Sequence, residues 1–217
     1  HLHNLHKDWK TDRRCYFDLR ALPQLCKNVP VVLTLHDAWL LSGHCAHPMN
    51  CERWTSGCGN CPELDSYPAL QRDATAYNWK RKRAIFAQAC LYVTTPSLWL
   101  MKKVENSILS SGLKNARVIP NGVDLQVFHP GPRDRAALGF PKDANILLFS
   151  ADGIRTNKFK DYETLRSAIA RVAETVSDVL FIALGESGAT ERIGKAEVRF
   201  IPYQKNPELV AQYYRTA

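Results

Sequence analysis

ANILLFSADGIRTNKFKDYETLRSAIARVAETVSDVLFIAL, residues 144–184, reads as strand, basic turn, helix, strand. The two apolar, β-rich runs at its ends, ANILLFS (144–150) and VLFIAL (179–184), have strand length, with a polar, turn-like segment between them. From Asp161 onward, Leu165, Ile169 and Val172 recur at helical spacing. Two parallel strands need a crossover, and the crossover is usually a helix, so this stretch predicts one βαβ unit.

The same alternation extends upstream. VVLTL (31–35), LYVTT (91–95) and ARVIP (116–120) are further short apolar runs, and most of the five strands read as buried on both faces. Helical patterns lie between them. One runs from Thr75 to Ala89; another starts at Ser97 as N-cap, carries Leu100, Val104 and Ile108 on one stripe, and stops at Gly112. A further helix is expected to begin near Pro207. The class is α/β with parallel sheets. From Leu125 to Asp143 the rhythm breaks, with Pro130, Pro132 and Pro141 beside Gly131 and Gly139. This predicts a domain over 1–124, a linker over 125–143 and a second domain over 144–217.

Composition sets outer bounds. Of 217 residues, 45% are hydrophobic and 23% charged, which excludes disordered, collagen-like and low-complexity chains. Apolar runs such as Val29 to Leu35 fall far short of the roughly 20 residues of a membrane span. The chain opens on His1 in what reads as a strand end, without a start methionine or signal peptide, so the natural N-terminus is expected upstream. Lys plus Arg exceed Asp plus Glu by 29 to 21, giving +8, a balance that suits nucleic acid, phosphorylated substrates or anionic membrane surfaces. The basic residues are scattered, and the denser cluster from Lys80 to Arg83 reads as a solvated helix face.

In open α/β sheets, ligands sit beyond the C-terminal strand ends. After ANILLFS come Ala151, Asp152, Gly153 and a loop with Arg155, Lys158 and Lys160; after VLFIAL come Gly185, Glu186, Ser187 and Gly188. A basic loop that opens a helix suits a diphosphate, because helix N–H groups, the helix dipole and cationic side chains act together; a solvated basic loop is the plainer reading. After VVLTL come His36 and Asp37, which could orient a hydroxyl or move a proton, although structural histidines are common.

The segment HCAHPMNCERWTSGCGNCP (44–62) spaces Cys45, Cys51, Cys58 and Cys61 as C-x5-C-x6-C-x2-C, with His44 and His47 beside them. The C-x2-C knuckle suits structural zinc, while two disulfides or four unligated thiols remain alternatives. Cys15, Cys26 and Cys90 sit in apolar contexts and read as small buried hydrophobes. IPNGVDLQVF (119–128) reads as a strand end followed by a turn in which Asn121 and Gly122 can take positive φ.

IPNGVD with Phe128 four residues later also resembles the interdomain hinge of the family 4 retaining glycosyltransferases, which have the GT-B fold of two Rossmann-like domains. HLHNL (1–5), PVVLTLHD, TTPSLWL and ANILLFSADGIRTNKFKDYETL match the order of family segments, so the resemblance covers essentially the whole chain. WLLSGHCAHPMNCERWTSGCGNCP is similar to a subgroup active in surface-polysaccharide, colanic-acid-type assembly.

The resemblance implies sugar transfer from a nucleoside diphosphate sugar to a saccharide or lipid-linked saccharide acceptor, with retention and without a catalytic metal. Arg155 and Lys160 would grip the donor diphosphate beside Gly153 and Gly185, and His36 would be the acceptor-side catalytic histidine. The chain departs from the family at Asp161, where many relatives carry Gly after the lysine. The family's Gly-rich loop would precede His1 and its E-x7-E segment would follow Ala217, since Glu186, Glu191, Glu197 and Glu208 lack that spacing; truncation at both ends is therefore expected. The expected setting is cytoplasmic, peripheral at the inner face of the membrane, with an anionic membrane surface as a further partner and no nucleic acid. A zinc-containing basic nucleic-acid-binding module and a nonenzymatic scaffold are the alternative readings.

Overall fold

The computed structural model describes residues 1–3, 5 and 17–217, arranged in two compact units, His1–Gly122 and Val123–Ala217. The first unit carries a four-stranded parallel sheet in the order β1 (Leu2–His3), β2 (Val31–Thr34), β3 (Leu91–Thr95) and β4 (Leu113–Val118). Parallel pairing runs Leu2↔Leu33, Val31↔Leu91 and Val93↔Ala116, with a register shift at Leu91/Tyr92. Helices α1 (Leu22–Asn28), α3 (Thr75–Phe86) and α4 (Leu98–Glu105) belong to this unit, with the single turn α2 (Arg53–Ser56). Leu33, Leu91, Val93, Phe86 and Val104 are among its buried core.

Ser97 caps α4, its Oγ accepting the Leu100 N–H at 3.3 Å. The helix stops at Glu105 rather than Gly112, because the Ser107 hydroxyl donates to Val104 O while accepting from Leu109 N–H, and Ile108–Gly112 becomes a 3-10 turn. The basic cluster of α3 is not wholly solvated. Lys82 lies on the buried stripe with Thr75, Trp79 and Phe86 and is 1% exposed.

The second unit orders β5 (Asn145–Ser150), β6 (Val179–Leu184), β8 (Ala196–Ile201) and β7 (Glu191–Ile193), with β7 antiparallel to β8 and the other pairs parallel. Helix α5 (Tyr162–Thr175) makes the crossover between β5 and β6, and α6 (Pro207–Thr216) follows β8. Among the described strands only β6 is buried along its whole length; β2 and β3 alternate, and the edge strands β4 and β5 are largely exposed. A neighbour on each side is thus not enough for burial on both faces, since β2, β3 and β8 also have one on each side.

Residues 125–143 pack on the second unit. Phe140 is buried against Tyr213 at a ring separation of 5.9 Å. Arg135 donates to the carbonyls of Lys142, Ala144 and Thr216, and Arg215 to those of Val127 and His129, so two guanidinium groups satisfy backbone that forms no ladder. The unit boundary falls inside IPNGVD. Neither Asn121 nor Gly122 takes positive φ; the chain leaves β4 extended, with Ile119 N–H donating to Thr95 O. Among the described residues no helix is long and apolar enough to cross a membrane.

Candidate functional site

The second unit places its chemistry at the C-terminal ends of β5 and β6. After β5 the chain turns through Gly153, at φ +61°, and both Thr156 N–H and Asn157 N–H donate to Gly153 O. Lys158–Lys160 form a 3-10 turn capped by Asn157, and Asp161, at φ 47°, caps α5 by accepting the Thr164 N–H at 3.4 Å. Lys160 is exposed at this helix start. Gly185 sits at the end of β6 with φ +115°, and a Cβ there would stand 2.3 Å from Ala151 O. Its glycine is required by the close pass of two backbones.

Arg155 is held by the β6 end. Its guanidinium donates from Nε to Glu186 Oε1 at 2.6 Å, from one amino group to Glu191 at 3.3 Å and from the other to Ser187 O at 3.1 Å, while lying 4.3 Å over the Phe200 ring. The hydrogen bond that its guanidinium donates to Glu186 is the main reason that the Arg155 pKa is raised. Burial pulls the Glu186 carboxyl upward, but the backbone N–H and guanidinium of Arg155 outweigh it and hold that carboxyl below its ordinary range. Glu186 stands among the residues read after VLFIAL, but its pairing with Arg155, and the part of Glu191, are not visible in the sequence; the charges meet because the turn after β5 packs on the segment that leads from β6 to β7.

On the first unit, β1 lies beside β2, which brings the His3 and His36 rings to 5.9 Å. His1 Nε2 meets Thr34 Oγ1 at 2.6 Å, and Thr34 Oγ1 meets Thr94 Oγ1 at the same distance. His36 is exposed, and Asp37 Oδ1 accepts the Trp39 N–H at 2.8 Å, fixing the turn that follows the strand. Asn4 of HLHNL, His6 and Cys15, with the burial expected for that cysteine, lie outside the described residues.

The excursion from Ser42 to Thr75 brings His44, Cys45, Cys51, Cys58 and Cys61 to one small cavity, beside Arg53 and Trp54. All four thiols are half-buried, and the six described cysteines are free of disulfides. Cys26 is also half-buried, but Cys90 is exposed: it follows α3 at the end of the turn into β3, outside the core. Gly43 N–H donates to Cys58 Sγ at 3.2 Å, and a Cβ on Gly43 would stand 2.6 Å from Thr75 O, so glycine lets the excursion touch α3. Burial pushes the Cys58 thiol up to about 11, and Lys82, also through burial, down to about 7. Among the described residues, no group of three or more His, Cys, Asp or Glu side chains is placed so as to hold a metal ion.

No protein-family profile matches the chain. It is 31% identical over 160 residues to WcaC of Escherichia coli K12, named as a colanic acid biosynthesis glycosyl transferase; the match covers 67% of this chain and 37% of that protein. It is 36% identical over 115 residues to D-inositol 3-phosphate glycosyltransferase 1 of Catenulispora acidiphila, covering 44% of this chain and 27% of the other. In structure it resembles sucrose-phosphate synthase from Thermosynechococcus elongatus, with a TM-score of 0.55 at 22% identity over 89% of this chain and 45% of that one; this likeness concerns the fold. The chain spans less than half the length of each of these proteins. It has an α/β fold of the GT-B type, with two Rossmann-like parallel-sheet units, and it is similar in sequence to proteins named as glycosyltransferases.

Proposed function

We propose that this chain is part of a family 4 retaining glycosyltransferase that moves a sugar from a nucleoside diphosphate sugar to an acceptor hydroxyl in polysaccharide biosynthesis. The observation that carries the reading is the basic turn between β5 and α5, at a C-terminal strand end of a chain whose sequence relatives are named as glycosyltransferases. As the glycosidic bond breaks, negative charge develops on the departing diphosphate, and fixed cations lower the barrier where that charge appears. Lys160, exposed at the start of α5, supplies one such cation. Arg155 supplies a second by exchanging its longest ionic contact, the 3.3 Å one to Glu191, for a phosphate oxygen while Glu186 keeps the loop in place. In this reading the cations take the role that a divalent metal has in other transferases. Gly153 and Gly185 let the two strand-end loops approach closely, and His36 faces the acceptor and reacting sugar.

The name of WcaC favours a saccharide or lipid-linked saccharide acceptor over a nucleic-acid partner. The test is turnover of a panel of nucleoside diphosphate sugars by the natural protein that carries this chain, with the anomeric configuration of the product read by NMR. Transfer with retention is the expected result; inversion, or dependence on added divalent metal, would overturn the corresponding part of the proposal.

A further inference from the structure

The proposed transfer assigns no role to the cysteine excursion, yet its backbone is held at several points. Ala38 N–H donates to Ala46 O, Ala46 N–H to Tyr67 O, and Ser42 Oγ to Cys45 O, so the backbone around the cavity is pinned from several sides. Asp73 accepts the Cys61 N–H on one carboxylate oxygen and the Thr75 N–H on the other, tying the knuckle to the start of α3. Arg53 donates to the carbonyls of both Gly59 and Asn60, inside the C-x2-C turn. His44 is 3% exposed; its Nδ1 meets Pro68 O at 3.0 Å, which directs Nε2 to Cys61 Sγ at 3.4 Å. A buried imidazole fixed through one nitrogen by a carbonyl, with the other turned toward a thiol, is the orientation seen around metal centres.

We propose that Cys45, Cys51, Cys58 and Cys61 bind a structural zinc ion that clips this excursion to the first unit, with His44 packed beside Cys61 at its edge. The four cysteines line one cavity, and closing a tetrahedral shell there requires their side chains to turn from the positions they hold. Soft thiolates and a closed tetrahedral shell suit zinc. Gly43 N–H already donates to Cys58 Sγ, the kind of bond that stabilises a thiolate.

Charge supplies a second, independent line. Four thiolates around a divalent ion leave net negative charge, and two cations border it. Arg53 lines the cavity; Lys82, 1% exposed, holds the carbonyls of Trp39 and Ser42, with Cys45, Cys58, Asp37 and Arg81 as the charged or titratable groups it faces. Among the described residues no carboxylate forms an ion pair with this buried lysine, Asp37 acting on it only at longer range, and that is costly; a thiolate-bound zinc centre would add counter-charge. The inference stands whether or not the chain transfers sugar.

The test is elemental analysis of the chain purified with reductant and without chelator, where about one zinc per chain is expected. Cys51→Ser and Cys61→Ser should lose it, Cys26→Ser and Cys90→Ser should keep it, and His44→Ala should weaken zinc affinity by about 10–100-fold. Because a ligand variant could fail to fold, cobalt is also titrated into the demetallated wild-type chain, where thiolate-to-cobalt charge-transfer bands and tetrahedral d–d bands are expected. Absence of those bands, thiols equally reactive with and without zinc, disulfides within the four, or iron in the purified protein would each overturn the proposal.

Discussion

Arg155 and Glu186 are joined twice: Glu186 Oε2 accepts the Arg155 backbone N–H at 2.9 Å, and Oε1 accepts its Nε at 2.6 Å. One carboxylate thus fixes both the path of the β5 turn and the direction of its arginine. The pair makes the geometry of the basic loop depend on an acidic residue that follows the neighbouring strand.

This relationship has a pH signature. The Glu186 carboxyl is held below its ordinary value of 4.5, so its contribution is fully present above that value and is lost as pH falls through the lower folded value. Amide exchange at Arg155 is expected to be slow near neutral pH and to gain protection losses, beyond the intrinsic pH effect, below about pH 4.5. Glu186→Gln should show weak protection already at neutral pH and no acid-dependent step. An unchanged step in that variant would assign the transition to another group.

Lys160→Ala is expected to lower sugar transfer by at least about tenfold, equivalent to about 1.4 kcal/mol of transition-state stabilisation. The fold should be unchanged, because Lys160 is exposed and its backbone N–H still donates to Asn157 O. Arg155→Ala should cost as much in turnover and should also loosen the loop, since three side-chain hydrogen bonds disappear with it. Steady-state kinetics alongside a thermal melt separate the two cases; near-normal turnover in Lys160→Ala would remove this lysine from the donor site.

How much of this was legible beforehand follows from the range of each interaction. Alternation of apolar runs located β2, β3, β5 and β6, and Ser97 marked the start of α4, because these are local signals. The β7–β8 hairpin leaves a weaker trace: Ala196, Val198 and Phe200 alternate with Glu197, Arg199 and Ile201, and the charged residues mask a one-sided strand. The Arg155 clamp joins residues more than thirty positions apart, which no local pattern reveals. Lys82 could have been read, since it shares a helical stripe with Trp79 and Phe86, but counting charge in KRKR hid its position on that stripe.

Lys82→Ala should therefore behave as a core truncation, costing about 2–5 kcal/mol on the scale of large-to-small substitutions, whereas Lys80→Ala, at an exposed position on the same helix, should stay within about 0.5 kcal/mol. Chemical denaturation of the two variants checks the contrast. Equal, small effects would mean that the buried lysine is replaceable by solvent.

Gly185→Ala should destabilise the second unit by about 1–3 kcal/mol for backbone strain alone, with more from the clash at Ala151 O, because both φ and the 2.3 Å approach exclude a Cβ. Gly122→Ala has no such conflict: nothing lies within 4 Å of its added Cβ. Paired melts of the two glycine variants test whether the close pass of the β5 and β6 ends, rather than glycine content in general, holds the site.

Asp161 occupies the position where glycine was expected from family resemblance, and its backbone explains how it can. At φ 47° and ψ 54° it is left-handed, a conformation that glycine adopts without cost and that aspartate tolerates better than most residues. Its side chain then accepts the Thr164 N–H, capping α5 where glycine would leave that donor to solvent. Two opposing terms follow. Asp161→Gly relieves the backbone but loses the cap, a few tenths of a kcal/mol by comparison with other caps, so the net change should be within about 0.5 kcal/mol. Asp161→Ala loses the cap, about 1 kcal/mol, and keeps the left-handed strain, so it should cost about 1–2 kcal/mol. If glycine also brings the helix start closer to a donor diphosphate, Asp161→Gly should lower KM for the nucleotide sugar, while Asp161→Ala should not. Melting curves and donor KM values for both variants decide it: equal destabilisation would show that the cap alone matters, and an unchanged KM in the glycine variant would place the diphosphate away from this helix N-terminus.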